Sequence, residues 1–441
     1  MYSEVGLSLF HQAVTHLIQR VKTATTNEKR LVYNFQSTLN IDGIDWMDAQ
    51  SLFPKFYWQS RDAREEVVAL GQLEAFPDAK IGHSLLSMGQ RIWGGSPFGR
   101  QPCPELASKS HFFILPLAEL IREGTQWSLA VNLNHDKQYV LARLRELVAD
   151  IIPIKPLSTG IKNLTHCPDK VKWSELVAKA LVRIDNHDFK KVVLARKTLL
   201  EMNGTVTAAE LLKSSYLKNH NSFHFMFAMD NSCGFIGSSP ERLYLKHGQN
   251  LYTEALAGTV GRGGNSRQDM KLGNWLGLDT KNINENGHVV DDIVESLTPY
   301  SKRFHVDQEA HLVKLSKVQH LKRDVHVCLK PDVSPIELLS VLQPTAAVAG
   351  LPRKESIDFI QQNEPFSRGW YAGSFGFIGC QHAEFCVAIR SALVQKNQIE
   401  LFSGAGIVAG SVACNEWDEL DKKLSTLLSL LEASPELEAV S

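Results

Sequence analysis

The sequence predicts an α+β fold, a sandwich of sheets with accompanying helices rather than a doubly wound parallel sheet. Short runs rich in β-branched and aromatic residues recur without the regular strand–helix alternation that a parallel sheet requires. Two long amphipathic stretches, one between these runs and one after them, read as helices. No internal repeat or low-complexity tract interrupts the pattern.

Taken in order, the first element is a helix, because Phe10, Ala13, Val14, Leu17, Ile18 and Val21 recur at helical spacing rather than forming a signal-peptide core. Residues 1–160 then alternate short apolar runs with turn-rich stretches such as Trp93-Gly94-Gly95-Ser96-Pro97, and read as a section that completes the sheet scaffold. The composition becomes loop-like around Pro153, Pro156, Ser158 and Gly160. A helix carrying Trp173, Leu176, Val177, Ala180, Leu181 and Ile184 opens a second section. Strands are predicted over residues 191–196, 223–229, 384–391 and 399–403. Helices are predicted over 279–297 and 415–431, the second placing Trp417, Leu420, Leu424, Leu427, Leu428 and Leu431 on one stripe. With 441 residues, 44% of them hydrophobic, the chain can fill one large core or two, and its length leaves the domain count open.

Forty-seven lysines and arginines stand against 48 acidic residues, so no bulk positive field draws in nucleic acid or an anionic membrane surface. Any anionic ligand must be held by local groups. The seven cysteines (Cys103, Cys167, Cys233, Cys328, Cys380, Cys386, Cys414) are scattered and contain no CxxC pair. That argues for reduced thiols in a cytoplasmic protein rather than a disulfide framework or zinc cage. No run of eighteen apolar residues offers a membrane-spanning helix.

Gly404-Ala405-Gly406-Ile407-Val408-Ala409 matches the dinucleotide pattern GxGxxG/A, yet Gly410-Ser411 delays the next helix to about Asn415 and the expected acidic residue is missing. The reading favoured here is a backbone turn whose N–H groups approach a carboxylate closely. Three carboxylates, Glu241, Glu285 and Glu419, lie beside structure-specifying residues instead of in a charge run. Glu416, Glu419 and Lys423 share one helix face, as do Glu285, His288 and Asp292 on the earlier helix. Spacing alone fits exposed ion pairs, and it also fits an oxygen-rich site of the kind Mg2+ prefers. HExxH and paired Cys/His spacings of zinc sites are absent.

Across residues 165–430 the chain resembles the chorismate-utilising enzymes, a family that includes isochorismate, salicylate, anthranilate and aminodeoxychorismate synthases. The resemblance rests on Lys191-Val192-Val193-Leu194-Ala195-Arg196, Ser238-Ser239-Pro240-Glu241-Arg242-Leu243, Ala257-Gly258-Thr259, Val318-Gln319-His320-Leu321, Gln343-Pro344-Thr345-Ala346-Ala347-Val348-Ala349-Gly350, Tyr371-Ala372-Gly373-Ser374, Gly404-Ala405-Gly406-Ile407-Val408 and the Glu416 to Lys423 segment. It implies a single large fold like that of anthranilate synthase component I, with antiparallel sheets packed as a sandwich and helices outside. Members that use water as nucleophile carry lysine at the position of Lys191, whereas amine-adding members typically carry glutamine. Within the family the chain looks most like the menaquinone-pathway isochorismate synthases, with the siderophore-pathway enzyme and salicylate synthase as neighbours sharing Lys191 and Glu241. A non-catalytic chorismate-binding module is the alternative from a different class.

By that resemblance, Lys191 is the general base and Glu241 the general acid. Glu285 and Glu419 are Mg2+ ligands, with Glu416 beside them, and Arg390, Tyr371, Gly404, Lys423, Gly258, Thr259 and Ala347 bind substrate. The implied reaction adds water at one ring carbon of chorismate and expels the 4-hydroxyl, giving isochorismate. It needs one base and one acid, so a lysine whose free pKa is near about 10.4 must be lowered and the Glu241 carboxyl raised. Two departures from the family are Asn286, where many relatives have histidine, and Val412-Ala413-Cys414 in place of acidic and proline residues.

Overall fold

The computed structural model describes residues 4–35, 41–77, 79–99, 112–149 and 151–432. Two antiparallel sheets form the α+β fold, with 12 and 10 strands among the described residues. The larger runs in the order Arg30–Asn34, Gln126–Asn132, Ala118–Glu123, Glu65–Leu70, Lys55–Gln59, Phe223–Ala228, Gly234–Ser239, Ser391–Gln395, Gln398–Val408, Lys191–Met202 and Gly350–Leu351, with Ile161–Cys167 also on Lys191–Met202. The smaller runs Ser301–Val306, Val318–Leu329, Asn250–Gly261, Arg242–His247, His382–Val387, Ser374–Gly379, Arg91–Ser96, Phe112–Leu115 and Glu74–Phe76, with His311–Lys314 on Val318–Leu329. In each sheet the strands from before residue 160 form one contiguous block that joins the strands from after it, through Lys55–Gln59 against Phe223–Ala228 in the larger sheet and Arg91–Ser96 against Ser374–Gly379 in the smaller.

Period-two alternation decides which side chains meet between the sheets. Phe56 and Trp58 point into the shared core while Tyr57 points to the opposite face, and Phe225 and Phe227 likewise face inward while Met226 does not. Phe225 stacks on Phe375 of the smaller sheet with ring centroids 4.7 Å apart, and Phe56 lies 5.6 Å from the same ring. The outer face of the larger sheet is covered by the helices Glu4–Thr23, Gly43–Ala49 and Ala208–Lys218 and by the C-terminal part of Ala413–Leu431. Phe10, Ala13, Leu17 and Val21 are the buried stripe of the first of these, at the spacing the sequence shows. The helix Thr280–Leu297, capped by Asp279, buries Val289, Ile293 and Leu297 in the inter-sheet core.

The chain crosses between the sheets at two places that matter below. Gly234–Ser239 belongs to the larger sheet and Arg242–His247 to the smaller, so Pro240 and Glu241 form the first crossing. His382–Val387 and Ser391–Gln395 also lie in different sheets, with Ala388, Ile389 and Arg390 between them. The single strand expected over 384–391 is therefore two, because Arg390 adopts a left-handed φ of 50° that breaks the extended run. The crossings are bonded to each other's strands: Val387 N donates to Glu241 O at 3.1 Å, and Ser238 N to Arg390 O at 3.0 Å.

Two further expectations are corrected. Gly94 and Gly95 are not in a turn but inside the strand Arg91–Ser96, where a Cβ would overlap the backbone of Phe112 or Ser374. Gly404 to Val408 are likewise the end of the strand Gln398–Val408, not a turn. Cys167, Cys328, Cys380, Cys386 and Cys414 carry free thiols, and Cys103 lies outside the described residues. Among the described residues, no helix is long and apolar enough to cross a membrane.

Because Phe225 is fully buried between the sheets, Phe225→Ala is expected to cost about 3–5 kcal/mol. Tyr252→Ala, at a position 42% exposed, is expected to cost far less. Urea unfolding of the two variants measures the difference.

Candidate active site

The first crossing buries Glu241 to 3% exposure. Burial, and next the negative charge of Glu254, push its carboxyl up to about 8, against the pull of Lys191, Arg390 and Lys423. At neutral pH Glu241 therefore carries a proton. Burial would also raise Glu254, but the guanidinium of Arg61 and then the ammonium of Lys322 outweigh it and hold Glu254 below the usual carboxylate range.

Lys191 begins the strand Lys191–Met202, fully buried between Leu351 on one side and Val408 on the other. Its Nζ lies 3.0 Å from Glu285 Oε1 of the helix Thr280–Leu297. The neighbouring strand meets this pair with glycines at alternate positions on one face. A Cβ on Gly406 would run into the Glu285 carboxylate and stand 3.1 Å from Lys191 Cε, and a Cβ on Gly404 would stand 2.7 Å from the Tyr371 hydroxyl. The pattern that imitates a nucleotide-binding turn thus clears space over a sheet for a carboxylate and a phenol.

Glu285, Glu416 and Glu419 are each met by an ammonium group. Burial alone would raise Glu285, but Lys191, Lys423 and Lys281 together hold it below its ordinary value. Glu416, buried in the first turn of Ala413–Leu431, accepts from Lys281 Nζ at 2.6 Å, and burial followed by the charge of Glu419 pushes its carboxyl up. Glu419 pairs with Lys423 at 2.7 Å, and Lys423 also donates to Gly404 O at 2.8 Å. The Glu419–Lys423 pair therefore faces the sheet instead of water. Lys281 senses all three carboxylates, Glu416 most strongly. Among the described residues, the three carboxylates are not gathered within 4.8 Å of one another. Their hard oxygen donors, already balanced by ammonium charge, form a set that suits Mg2+ chemically.

Arg390, in the second crossing, places Nη2 3.2 Å from His320 Nε2. A guanidinium only donates, so Nε2 accepts and the ring proton belongs on Nδ1, 3.0 Å from Thr259 Oγ1. Burial, reinforced by Arg390 and Lys423, pushes His320 well below its ordinary value and keeps it neutral. Thr259 is aimed by a bulge: the pairing of Asn250–Gly261 with Val318–Leu329 slips between Ala257 and Thr259, where Gly258 takes a φ of 85°. Tyr371 is buried and stacked on Phe402 at 5.2 Å, and burial pushes its phenol up to about 12. Ala347 is half-buried beside Ala346, whose N–H donates to Asp292 Oδ2 at 3.0 Å.

The structure thus brings Lys191, Glu285, Lys423, Gly404, Tyr371, Arg390 and Glu241 to one region, and ties Thr259 into it through His320. Asp292 does not join: it binds Arg353 and the Ala346 N–H and so braces the loop of residues 343–350. Asn286 points away from the carboxylates, its Nδ2 within reach of the Ala255, Ala257 and Leu321 carbonyls. Val412, Ala413 and Cys414 sit at the helix start, where Ala413 O accepts from Trp173 Nε1 at 3.1 Å. Sequence reasoning gave no role to Lys281, Glu254 or His320. Lys281 lies one helical turn before Glu285 and His320 inside a quoted motif, so both carried a signal, whereas Glu254 carried none.

The fold and these side chains define a chorismate-binding enzyme. Residues 81–432 match the model described as "Chorismate binding enzyme", and the chain belongs to that family. Isochorismate synthase MenF of Escherichia coli is 38% identical to it over 428 residues, covering 95% of this chain and 96% of that protein. The corresponding protein of Haemophilus influenzae is 33% identical, covering 98% of this chain and 99% of its own length. The solved structure of the menaquinone-specific isochorismate synthase MenF from Escherichia coli superposes with a TM-score of 0.87 at 35% identity, over 96% of this chain and 100% of that one.

Since the bare strand at Gly406 makes room for the Lys191–Glu285 pair, Gly406→Ala is expected to displace it and cut turnover by about a hundredfold. Its melting temperature should stay near that of the unaltered protein; steady-state kinetics with a thermal scan checks both.

Proposed function

We propose that the chain is an isochorismate synthase that interconverts chorismate and isochorismate. The observation that carries this reading is the buried site where a proton-bearing Glu241 and the amine of Lys191 share the surroundings of Arg390 and Lys423. The similarity to isochorismate synthases over nearly the whole chain supports it independently. Supply of isochorismate to menaquinone synthesis belongs to the same proposal, supported by likeness to the menaquinone-specific enzyme of Escherichia coli. So does a cytoplasmic location, supported by the free thiols of Cys167, Cys328, Cys380, Cys386 and Cys414.

In the proposed mechanism Lys191 accepts a proton from the attacking water, whose hydroxyl bonds to the ring. Glu241 gives its proton to the departing 4-hydroxyl, which leaves as water. Proton return from Lys191 to Glu241 through solvent closes the cycle, and the net change is isomerisation. Lys191 stands in an ion pair with Glu285, so it must leave that carboxylate and release its ammonium proton to solvent before its nitrogen can take one from water. Arg390 and Lys423 are the cations for the substrate's carboxylates, and the buried, fixed Arg390 is suited to a bidentate grip that orients the ring. Tyr371, Gly404, Gly258, Thr259 and Ala347 shape the remaining walls. A bound Mg2+ would be held by Glu285, Glu419 and Glu416, and the chemistry it would supply is polarisation of the ring carboxylate.

Chromatography of products from purified protein with chorismate and Mg2+ tests the reading: isochorismate should accumulate to an equilibrium mixture. Pyruvate released in step with chorismate loss would make the chain a salicylate synthase, and calorimetric binding without turnover would make it a binding module. Lys191→Gln and Glu241→Gln are each expected to lower turnover by about a hundredfold or more with modest change in substrate affinity. Activity should vanish in EDTA and return with added Mg2+; full activity in chelator would remove the metal from the proposal.

A further inference from the structure

The residues on either side of Glu241 are tied to a second carboxylate that the mechanism does not use. Glu254, in the strand Asn250–Gly261, is 3% exposed. Its Oε1 accepts from Arg242 N at 2.8 Å, and Arg61 grips both of its oxygens, with Nη2 2.9 Å from Oε2. Arg61 Nη1 also donates to Pro240 O at 2.8 Å. Lys322 Nζ completes the cluster, 3.3 Å from Glu254 Oε2 and 2.8 Å from Asp324 Oδ1. Arg61 comes from the connection between Lys55–Gln59 and Glu65–Leu70, far from Glu254 in sequence.

In a site with little solvent to screen it, a charge on Glu254 makes a second charge on Glu241 costly, even with cations nearby. The donors around Glu254 settle which one keeps its proton: they hold a charge on Glu254, and the proton stays on Glu241. We propose that Glu254 is a positioning residue for Glu241, its fixed charge keeping the neighbouring acid in the proton-carrying form while Arg61 holds the backbone from which that acid projects.

Other charged groups act the opposite way. Lys191 of the larger sheet, Arg390 of the second crossing and Lys423 of the helix Ala413–Leu431 all favour ionised Glu241. The nearby Tyr371 phenol and Cys386 thiol both keep their own protons. Glu254 opposes all three, including Arg390 and Lys423, the two cations for the substrate's carboxylates, so the site can attract carboxylates without ionising its own acid. The N-terminal section thereby reaches the chemistry through Arg61.

The inference rests on the proposed function, and pH profiles of kcat for isochorismate formation test the two separately. If the unaltered protein forms no isochorismate, the functional reading fails. If it does, Glu254→Gln is expected to move the high-pH limb down by about one pH unit or more, since it removes the opposing charge and leaves Arg61 and Lys322 uncompensated. Turnover should recover toward the unaltered value at the acid end of the range. Lys322→Met removes one of the compensating cations and should move the same limb upward. An unmoved limb in Glu254→Gln, with turnover lowered equally at every pH, would mean that Glu254 only braces the fold and would overturn the proposal. Should that variant fail to fold, an unmoved or lowered limb in Lys322→Met would overturn it instead.

Discussion

The site depends on how the chain passes from one sheet to the other. A strand that changes sheets leaves its ladder, and the backbone groups of the crossing need other partners. Here the crossing that holds Glu241 and the crossing that holds Arg390 are each bonded to the strand leading into the other, through Val387 N to Glu241 O and Ser238 N to Arg390 O. The crossings that carry an acid and a cation are thereby anchored to regular strands, with little freedom lost when a ligand arrives. The aromatic core around Phe225 and Phe375 fixes the spacing of the two sheets and so the depth of the crossings.

Charge is then distributed over this frame in alternating signs. Glu285 faces Lys191, Glu416 faces Lys281, and Glu419 faces Lys423. Each pair satisfies its members in the protein alone, and each presents a carboxylate for a cation and an ammonium for an anion. Such an arrangement suits a dianionic substrate taken up with a divalent ion, because opposite charges can be exchanged without leaving a buried one unpaired. Glu241 is the exception among these carboxylates. It has no lysine or arginine within ion-pair distance among the described residues, and burial keeps its proton in place.

Much of this could be read from the sequence where the signal was local. The helices Glu4–Thr23, Thr280–Leu297 and Ala413–Leu431 follow from stripes at a period near 3.6, and the strand Lys191–Met202 from its β-branched run. The break at Arg390 was hidden because apolar residues continue on both sides of it, and a left-handed φ at arginine has no compositional mark. Gly94 and Gly95 looked like turn residues, yet they serve close backbone approach inside a strand, as Gly404 and Gly406 serve open space. Family motifs located Lys191, Glu241 and the three acidic residues of the two helices. Glu254 and Arg61 meet only through the packing of distant strands, so no window of sequence joins them to the acid.

The central claim is that Glu241 carries a proton at neutral pH, and infrared difference spectroscopy with isotopically labelled glutamate reads this directly. The account predicts a protonated-carboxyl band that Glu241→Gln abolishes and that titrates away with a midpoint near about 8. A spectrum at pH 7 without that band, or one unchanged by the substitution, would contradict it.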